Sequence, residues 1–208
     1  MAKQEFYHYT RENIEKLASV LPNDAMLLVS AADKSKRSND VYYHYKQNSN
    51  FFWLSALEEP AAVLVITKIK NQTHSILFHQ VSESTLVQWE SPAASKQEIQ
   101  ASRCIDQVEP VDKLDSWIQS NGGDYQQAWL FADEKYKETL KRYCEHIAIE
   151  NLSRLITQCR LQKSPREIEY IKTACDISVV AQRQTISATQ KMPYTHEYQI
   201  AATFEYHC

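Results

Sequence analysis

The first helical spacing of apolar residues is Ile14, Leu17, Ala18 and Leu21, which predicts an amphipathic helix opened by Thr10 as its N-cap. The run AMLLVS (25–30) is too short for a helix and reads as a buried strand. A polar and aromatic stretch follows, RSNDVYYHYKQNSNFFWLSALEEP (37–60). It leads through FFWLSA into AAVLVI (61–66), HSILFH (74–79) and TLVQW (85–89). Short apolar runs separated by turn residues predict a meander of neighbouring strands.

Beyond residue 90 the pattern changes. Ser95 with Glu98 has the spacing of a capping box, and Asp112 opens KLDSWIQSN. QQAWLFA (126–132) reads as another strand. Asp133 then caps a helix with Tyr136, Leu140, Tyr143, Cys144 and Ile147 on one face. Strands that give way to alternating strands and helices predict an α/β fold, a mixed β-sheet flanked by helices, ending near residue 160. At Ser164-Pro165-Arg166-Glu167 three start signals coincide: Ser at the N-cap, Pro at the first helical position and Glu three residues after the cap. The helix they open runs to about Gln190, with Ile168, Ile171, Cys175 and Ile177 as buried candidates. Thr195 opens another through Ile200, Ala201 and Phe204, and the chain stops inside it at Cys208. Two domains are therefore expected, residues 1–160 and, truncated, 161–208.

Composition narrows the function classes. The chain of 208 residues has a formal charge of -3, which leaves no electrostatic footprint for nucleic acid. No apolar run approaches a membrane span, and MAKQEFYHYT lacks the apolar region of a secretory signal. The five cysteines are scattered without C-x-x-C spacing, which suits reduced thiols in a cytoplasmic protein. Gly122 and Gly123 are the only glycines. Phosphate-cradling loops need glycine for close backbone approach, so Walker and dinucleotide fingerprints are excluded. Tight turns must then rely on Asn and Asp.

Candidate chemistry within the chain is thin. His74 and His79 bracket one strand at an odd separation, so they face opposite sides. Cys144 and His146 are two apart on a predicted helix and diverge, and no H-E-x-x-H occurs. Glu58-Glu59 reads as a solvated loop rather than an acid–base pair, and DKSKRSND (33–40) as a solvated basic loop. The residues by themselves describe a cytoplasmic α/β domain with no complete active site.

Three ordered stretches resemble one family. Arg37-Ser38-x-Asp40, Tyr45-Lys46-Gln47-Asn48-Ser49-x-Phe51, Leu54 and Glu59-Pro60-x-Ala62 resemble the N-terminal domain of aminopeptidase P, the Xaa-Pro aminopeptidases of the creatinase/prolidase group of metallopeptidases. RLQKSPREIEYIKTACDIS (160–178) resembles that family's entry into its catalytic domain, and MPYTHEYQIAATFEY (192–206) its second catalytic-domain helix. The sequence departs from the family where Lys46 replaces Arg, where Ala56 and Tyr194 replace Gly, and where Trp89 is followed by ESPAAS.

The resemblance implies an N-terminal domain followed by the first helices of a truncated pita-bread domain. It implies a full-length enzyme that removes a residue preceding proline from proline-containing peptides and works as a homo-oligomer, a dimer or tetramer. Two divalent ions, manganese in most such enzymes, would be held by the later domain; no residue here matches a metal ligand or catalytic group. Two residues carry over as substrate-binding: Asp40 and Trp89, which resemble residues bordering the substrate entrance. Against this, Asp40 could cap a turn and Trp89 could be core. The aromatics around them suit a strand that packs on one face and meets a partner on the other. A prolidase that cleaves X-Pro dipeptides and a non-catalytic protein-binding scaffold are the alternatives.

Overall fold

The computed structural model describes residues 2–80, 96, 99, 100, 105–131, 134–191 and 194–208. TLVQW with its Trp89, the capping box at Ser95 and Glu98, and the cap at Asp133 lie outside the described residues. The chain forms two compact units, residues 1–160 and 161–208.

In the first unit, six strands make one mixed sheet: β1 (Ala25–Ser30), β2 (Val63–Ile69), β3 (Gln72–His79), β4 (Gln107–Pro110), β5 (Gln127–Leu130) and β6 (Ala148–Asn151), in the order β4-β3-β2-β1-β5-β6. The pairs β1–β2 and β2–β3 are antiparallel, as the meander predicts, while β3–β4, β1–β5 and β5–β6 are parallel. Alternate residues feed two cores. Leu27, Val29, Leu64, Ile66 and Leu77 join one; Met26, Leu28, Val63, Val65, Ile76 and Phe78 join the other. The first core is covered by helices α1 (Ala2–Ser19), α2 (Ser49–Ser55) and α5 (Ser153–Leu161); the second by α3 (Leu114–Asn121) and α4 (Glu134–Tyr143). Burial on both faces is why the central strands read as nearly unbroken apolar runs.

Several expectations are corrected. Thr10 lies inside α1 and is buried rather than capping it. No glycine or proline stands between Ala2 and Thr10, and a nucleated helix extends at small cost per residue. FFWLSA is helical, not a strand. Asn48 Oδ1 accepts from the N–H groups of Asn50 (2.8 Å) and Phe51 (3.3 Å), and Phe51 and Leu54 turn inward at helical spacing. The edge strand β6 and helix α5 went unforeseen. The four residues of β6 are mostly exposed and carry no apolar alternation.

The scarcity of glycine has the expected outcome, with an addition. The β2–β3 hairpin turns on Lys70 and Asn71, at φ of 49° and 64°, the paired positive values of a type I′ turn. Asp24 also has positive φ, but so do Ala56 and Ala61, where alanine carries a left-handed backbone. Ala56 stands where the resembled family has glycine, and it ends α2 there: its N–H donates to Phe52 O at 2.8 Å. Tyr194, the other such position, shows no positive φ.

The second unit contains α6 (Pro165–Lys191) and α7 (Glu197–His207). The capping box forms as expected: Ser164 N–H donates to Glu167 Oε2 (2.7 Å) and Glu167 N–H to Ser164 Oγ (3.2 Å). The cap of α7 falls on His196, one residue after Thr195, and Gln199 Oε1 accepts from both N–H groups. The buried candidates fail: Ile168, Ile171, Cys175 and Ile177 are exposed, while Ala181 and Thr185 are buried. Apolar period identifies a face fit for burial, not a cover for it.

An ionic tie joins α1 to the sheet. Arg11 Nη1 donates to both Asp106 carboxylate oxygens (2.9 and 3.0 Å), and Asp106 Oδ2 accepts from Ser75 N–H and Oγ–H, each at 2.7 Å. Burial works to raise the Asp106 pKa, but the Ser75 hydroxyl and N–H and the Arg11 guanidinium outweigh it and hold the group below its ordinary value. A depressed carboxylate contributes stability that is complete above its unfolded pKa, about 3.9, and is lost as pH falls through the folded one. Asp106→Asn is expected to cost about 1.5–3 kcal/mol at neutral pH, the scale of hydrogen bonds to a charged group. In urea titrations the gap between wild type and mutant should close below about pH 4. A gap unchanged down to low pH would remove the ionic account.

Candidate functional site

The stretch between β1 and β2 is the part of the first unit that projects from the two-sided core. Its base is fixed by Gln47. The Oε1 atom accepts from the N–H groups of Ala32 and Asn48, both at 2.8 Å. The Nε2 atom donates to the carbonyls of Leu57 (3.0 Å) and Glu59 (2.9 Å). Tyr45 adds a bond from its hydroxyl to Ala32 O (3.2 Å). Burial, helped by the charges of Asp33 and Glu58, raises the Tyr45 pKa, so the phenol stays a donor.

Above this base the chain doubles back. Lys36 and Tyr42 form an antiparallel bridge, Arg37 and Ser38 N–H donate to Val41 O (2.8 and 3.1 Å), and Tyr43 N–H donates to Ser35 O (3.0 Å). Lys34 lies over the Tyr42 ring and Arg37 over the Tyr43 ring, at 6.0 and 5.9 Å. Val41, Tyr42 and Tyr43 are exposed at 48%, 46% and 59%. This is a small aromatic hairpin with its rings in solvent and cations stacked on them, not the one-sided strand anticipated for the segment.

Asp40 sits in the bend of that hairpin, exposed. Its carboxylate makes no hydrogen bond or ion pair with the described residues, and the turn is closed by backbone groups instead. An unpaired carboxylate beside exposed aromatic walls can accept from an ammonium or guanidinium brought to it. Trp89, the other candidate, lies outside the described residues, so the two are not brought together here. Lys46 is exposed on the same stretch.

The carboxylate pair resolves differently from the expectation of a solvated loop. Glu58 is exposed, but Glu59 Oε2 is 2.8 Å from Nε2 of His79, a histidine only 1% exposed. His79 Nδ1 is buried without a partner. His74 is half-exposed, 3.5 Å from Asp106, and on the other face of β3, as its odd separation requires. Of the thiols, burial raises the pKa of Cys144, and that of Cys159 despite an opposing effect of Lys16, which leaves both poor nucleophiles. Among the described residues no three His, Cys, Asp or Glu side chains gather to hold a metal ion. Nor is any described helix long and apolar enough to cross a membrane.

A mixed six-stranded domain with a projecting hairpin, followed by a long capped helix, is the architecture of the N-terminal part of aminopeptidase P. The structure of the Escherichia coli enzyme with the inhibitor Pro-Leu superposes on 97% of this chain and 48% of its own, with a TM-score of 0.85 at 21% identity. The family model for the aminopeptidase P N-terminal domain matches residues 10–131, and the chain belongs to that family. The chain is 24% identical over 216 aligned positions to the Xaa-Pro aminopeptidase of Haemophilus influenzae, covering all of this chain and 49% of that one. Against the Escherichia coli Xaa-Pro aminopeptidase the identity is 25%, over 96% of this chain and 47% of the relative. The chain thus spans about half the length of the curated relatives it matches.

Gln47 carries the geometry of this site, so its removal should show twice. Gln47→Ala is expected to cost about 2–4 kcal/mol, from lost bonds and from backbone groups left unpaired. Trypsin should then cut faster at Lys36, Arg37 and Lys46. Wild-type stability with unchanged cleavage would mean that the hairpin is held by something other than the carboxamide.

Proposed function

We propose that this chain is the N-terminal part of a metal-dependent Xaa-Pro aminopeptidase, in which it shapes substrate access and supports oligomerisation. The observation that carries the reading is the family match over residues 10–131, which includes the whole β1–β2 hairpin. In this reading the metal ions, manganese by resemblance, belong to the half of the relatives' length that the chain does not span. Metal-bound hydroxide hydrolyses amides without regard to peptide length, so selection must come from walls around the cleft. Tyr42 and Tyr43 are rigid rings of low entropy cost and Asp40 is an unpaired anion beside them, which suits a loop placed at a peptide entrance. Trp89 is assigned to the same wall. The protein is placed in the cytoplasm, where the free Cys144, Cys159, Cys175 and Cys208 are at home.

The test uses the full-length protein and this 208-residue chain side by side. The full-length protein should cleave X-Pro-Y peptides after X and lose the activity to a chelator, while the chain alone hydrolyses none. Cleavage restricted to X-Pro dipeptides would make it a prolidase, and no cleavage by metal-loaded full-length protein would leave a scaffold. Asp40→Asn should lower kcat/KM by about tenfold or more, the loss of one charge-assisted hydrogen bond worth ~1.5–3 kcal/mol. Trp89→Ala should raise KM or shift the preferred peptide length with metal content unchanged. Wild-type kinetics in both mutants, with a large loss of melting temperature in the tryptophan mutant, would reduce these residues to structural ones.

A further inference from the structure

His79 closes β3 and is 1% exposed, yet only one of its two ring nitrogens is bonded. It lies on the same face of the strand as Leu77, two residues earlier, and so points toward the core covered by α1, α2 and α5. A carboxylate only accepts, so Nε2 carries the proton and donates to Glu59 Oε2 at 2.8 Å, whether the ring is neutral or charged. Nδ1 is buried without a partner, which is uncommon because a buried polar atom left unbonded costs free energy. A leucine would fill much of the same space and leave no such atom. The fold therefore gains little from an imidazole here, and what the ring supplies beyond volume is the bond to Glu59.

That bond reaches the hairpin in two steps. The carbonyl of Glu59 accepts from Gln47 Nε2 at 2.9 Å, and Gln47 Oε1 accepts from Ala32 N–H at 2.8 Å. Ala32 and Gln47 are where the chain leaves for and returns from the segment 33–46, which carries Asp40, Tyr42 and Tyr43. Glu59 also precedes Pro60 and Ala61, and Ala61 at φ 55° holds a left-handed backbone that alanine does not favour, so this end of the neck needs an outside tie. His79 belongs to the sheet itself, in the ladder opposite Pro110 of β4. We propose that His79 is a positioning residue. Through Glu59 it anchors the neck of the hairpin to β3, and it thereby sets where Asp40 and the two tyrosines stand for an incoming peptide, a role that rests on the substrate entrance proposed for the hairpin.

Two variants at this position separate anchoring from packing. H79L keeps much of the volume and removes both the Nε2–H and the bare Nδ1, while water still reaches the Glu59 carboxylate, 30% exposed. H79Q puts a side-chain N–H near the place of Nε2. In the 208-residue chain, H79L is expected to keep the wild-type Tm, while trypsin cuts at Lys36, Arg37 and Lys46 about fivefold faster relative to sites elsewhere. H79Q should be cut at the wild-type rate. In the full-length protein, H79L should raise KM for an X-Pro-Y peptide about fivefold with kcat and metal content unchanged, and H79Q should stay within about twofold of wild type. The proposal is overturned if H79L speeds cleavage no more at the hairpin than elsewhere, which would make His79 a packing residue. It is equally overturned if H79Q is cut as fast as H79L, or if H79L loosens the hairpin and keeps the wild-type KM. A wild-type full-length protein that cleaves no X-Pro-Y peptide would remove the substrate entrance, and the trypsin rates of the two variants would still decide the anchor.

Discussion

The carboxamide of Gln47 sets the path of the chain between the first two strands. A primary amide offers two N–H donors and two acceptor lone pairs, and here both atoms are bonded twice: Oε1 to the N–H groups of Ala32 and Asn48, Nε2 to the carbonyls of Leu57 and Glu59. Four backbone groups from three separate stretches of the chain are satisfied by one side chain. Charged or apolar residues of similar size could meet at most one half of that demand, because the donors and the acceptor must sit on the same planar group. The polarity of YKQNSN follows from this. Gln47 closes the neck of the hairpin, Asn48 starts α2, and the apolar residues that follow are free to turn inward. Glu59 is held at both ends, its carbonyl by Gln47 and its carboxylate by His79, so the neck is joined to the end of β3.

This arrangement separates two requirements that usually conflict. The neck is pinned at four backbone groups by one carboxamide, while the tip, with Asp40 and the two tyrosines, contributes little to the core. The cations stacked on Tyr42 and Tyr43 restrain the rings without burying them. A loop built this way changes its tip residues at small cost to the fold.

The sheet was legible in the sequence where physics leaves one option. AMLLVS, AAVLVI and HSILFH are apolar on both sides because helices cover both faces, and no solvated strand reads that way. The box at Ser164–Glu167 was equally clear, since three independent signals fall at one point. FFWLSA was misread because aromatic content favours strands, whereas Asn48, by capping, had already committed the backbone to a helix. Thr10 failed for the opposite reason: a good cap does nothing when the chain before it continues the helix. At Ala56 and Ala61 no sequence signal for a left-handed residue exists, because alanine is a poor choice that the surrounding contacts impose.

The candidate sites divide along the same line. Asp40 was singled out through a motif, not through local physics, because nothing in a bend of Ser, Asn and Asp distinguishes a functional carboxylate from a solvated one. The structure adds that backbone groups close the turn and that the side chain has no partner among the described residues. The end of the sheet was not legible at all, because it is made by the parallel pairing of β5 with β6 and the return of α5, and β6 carries no pattern of its own. A charged side chain left unpaired costs little while water reaches it, and it becomes costly once a partner covers it without answering the charge. Asp40 at the hairpin tip is of this kind: exposed, it adds nothing to the core, and any group that covered it would have to answer its charge.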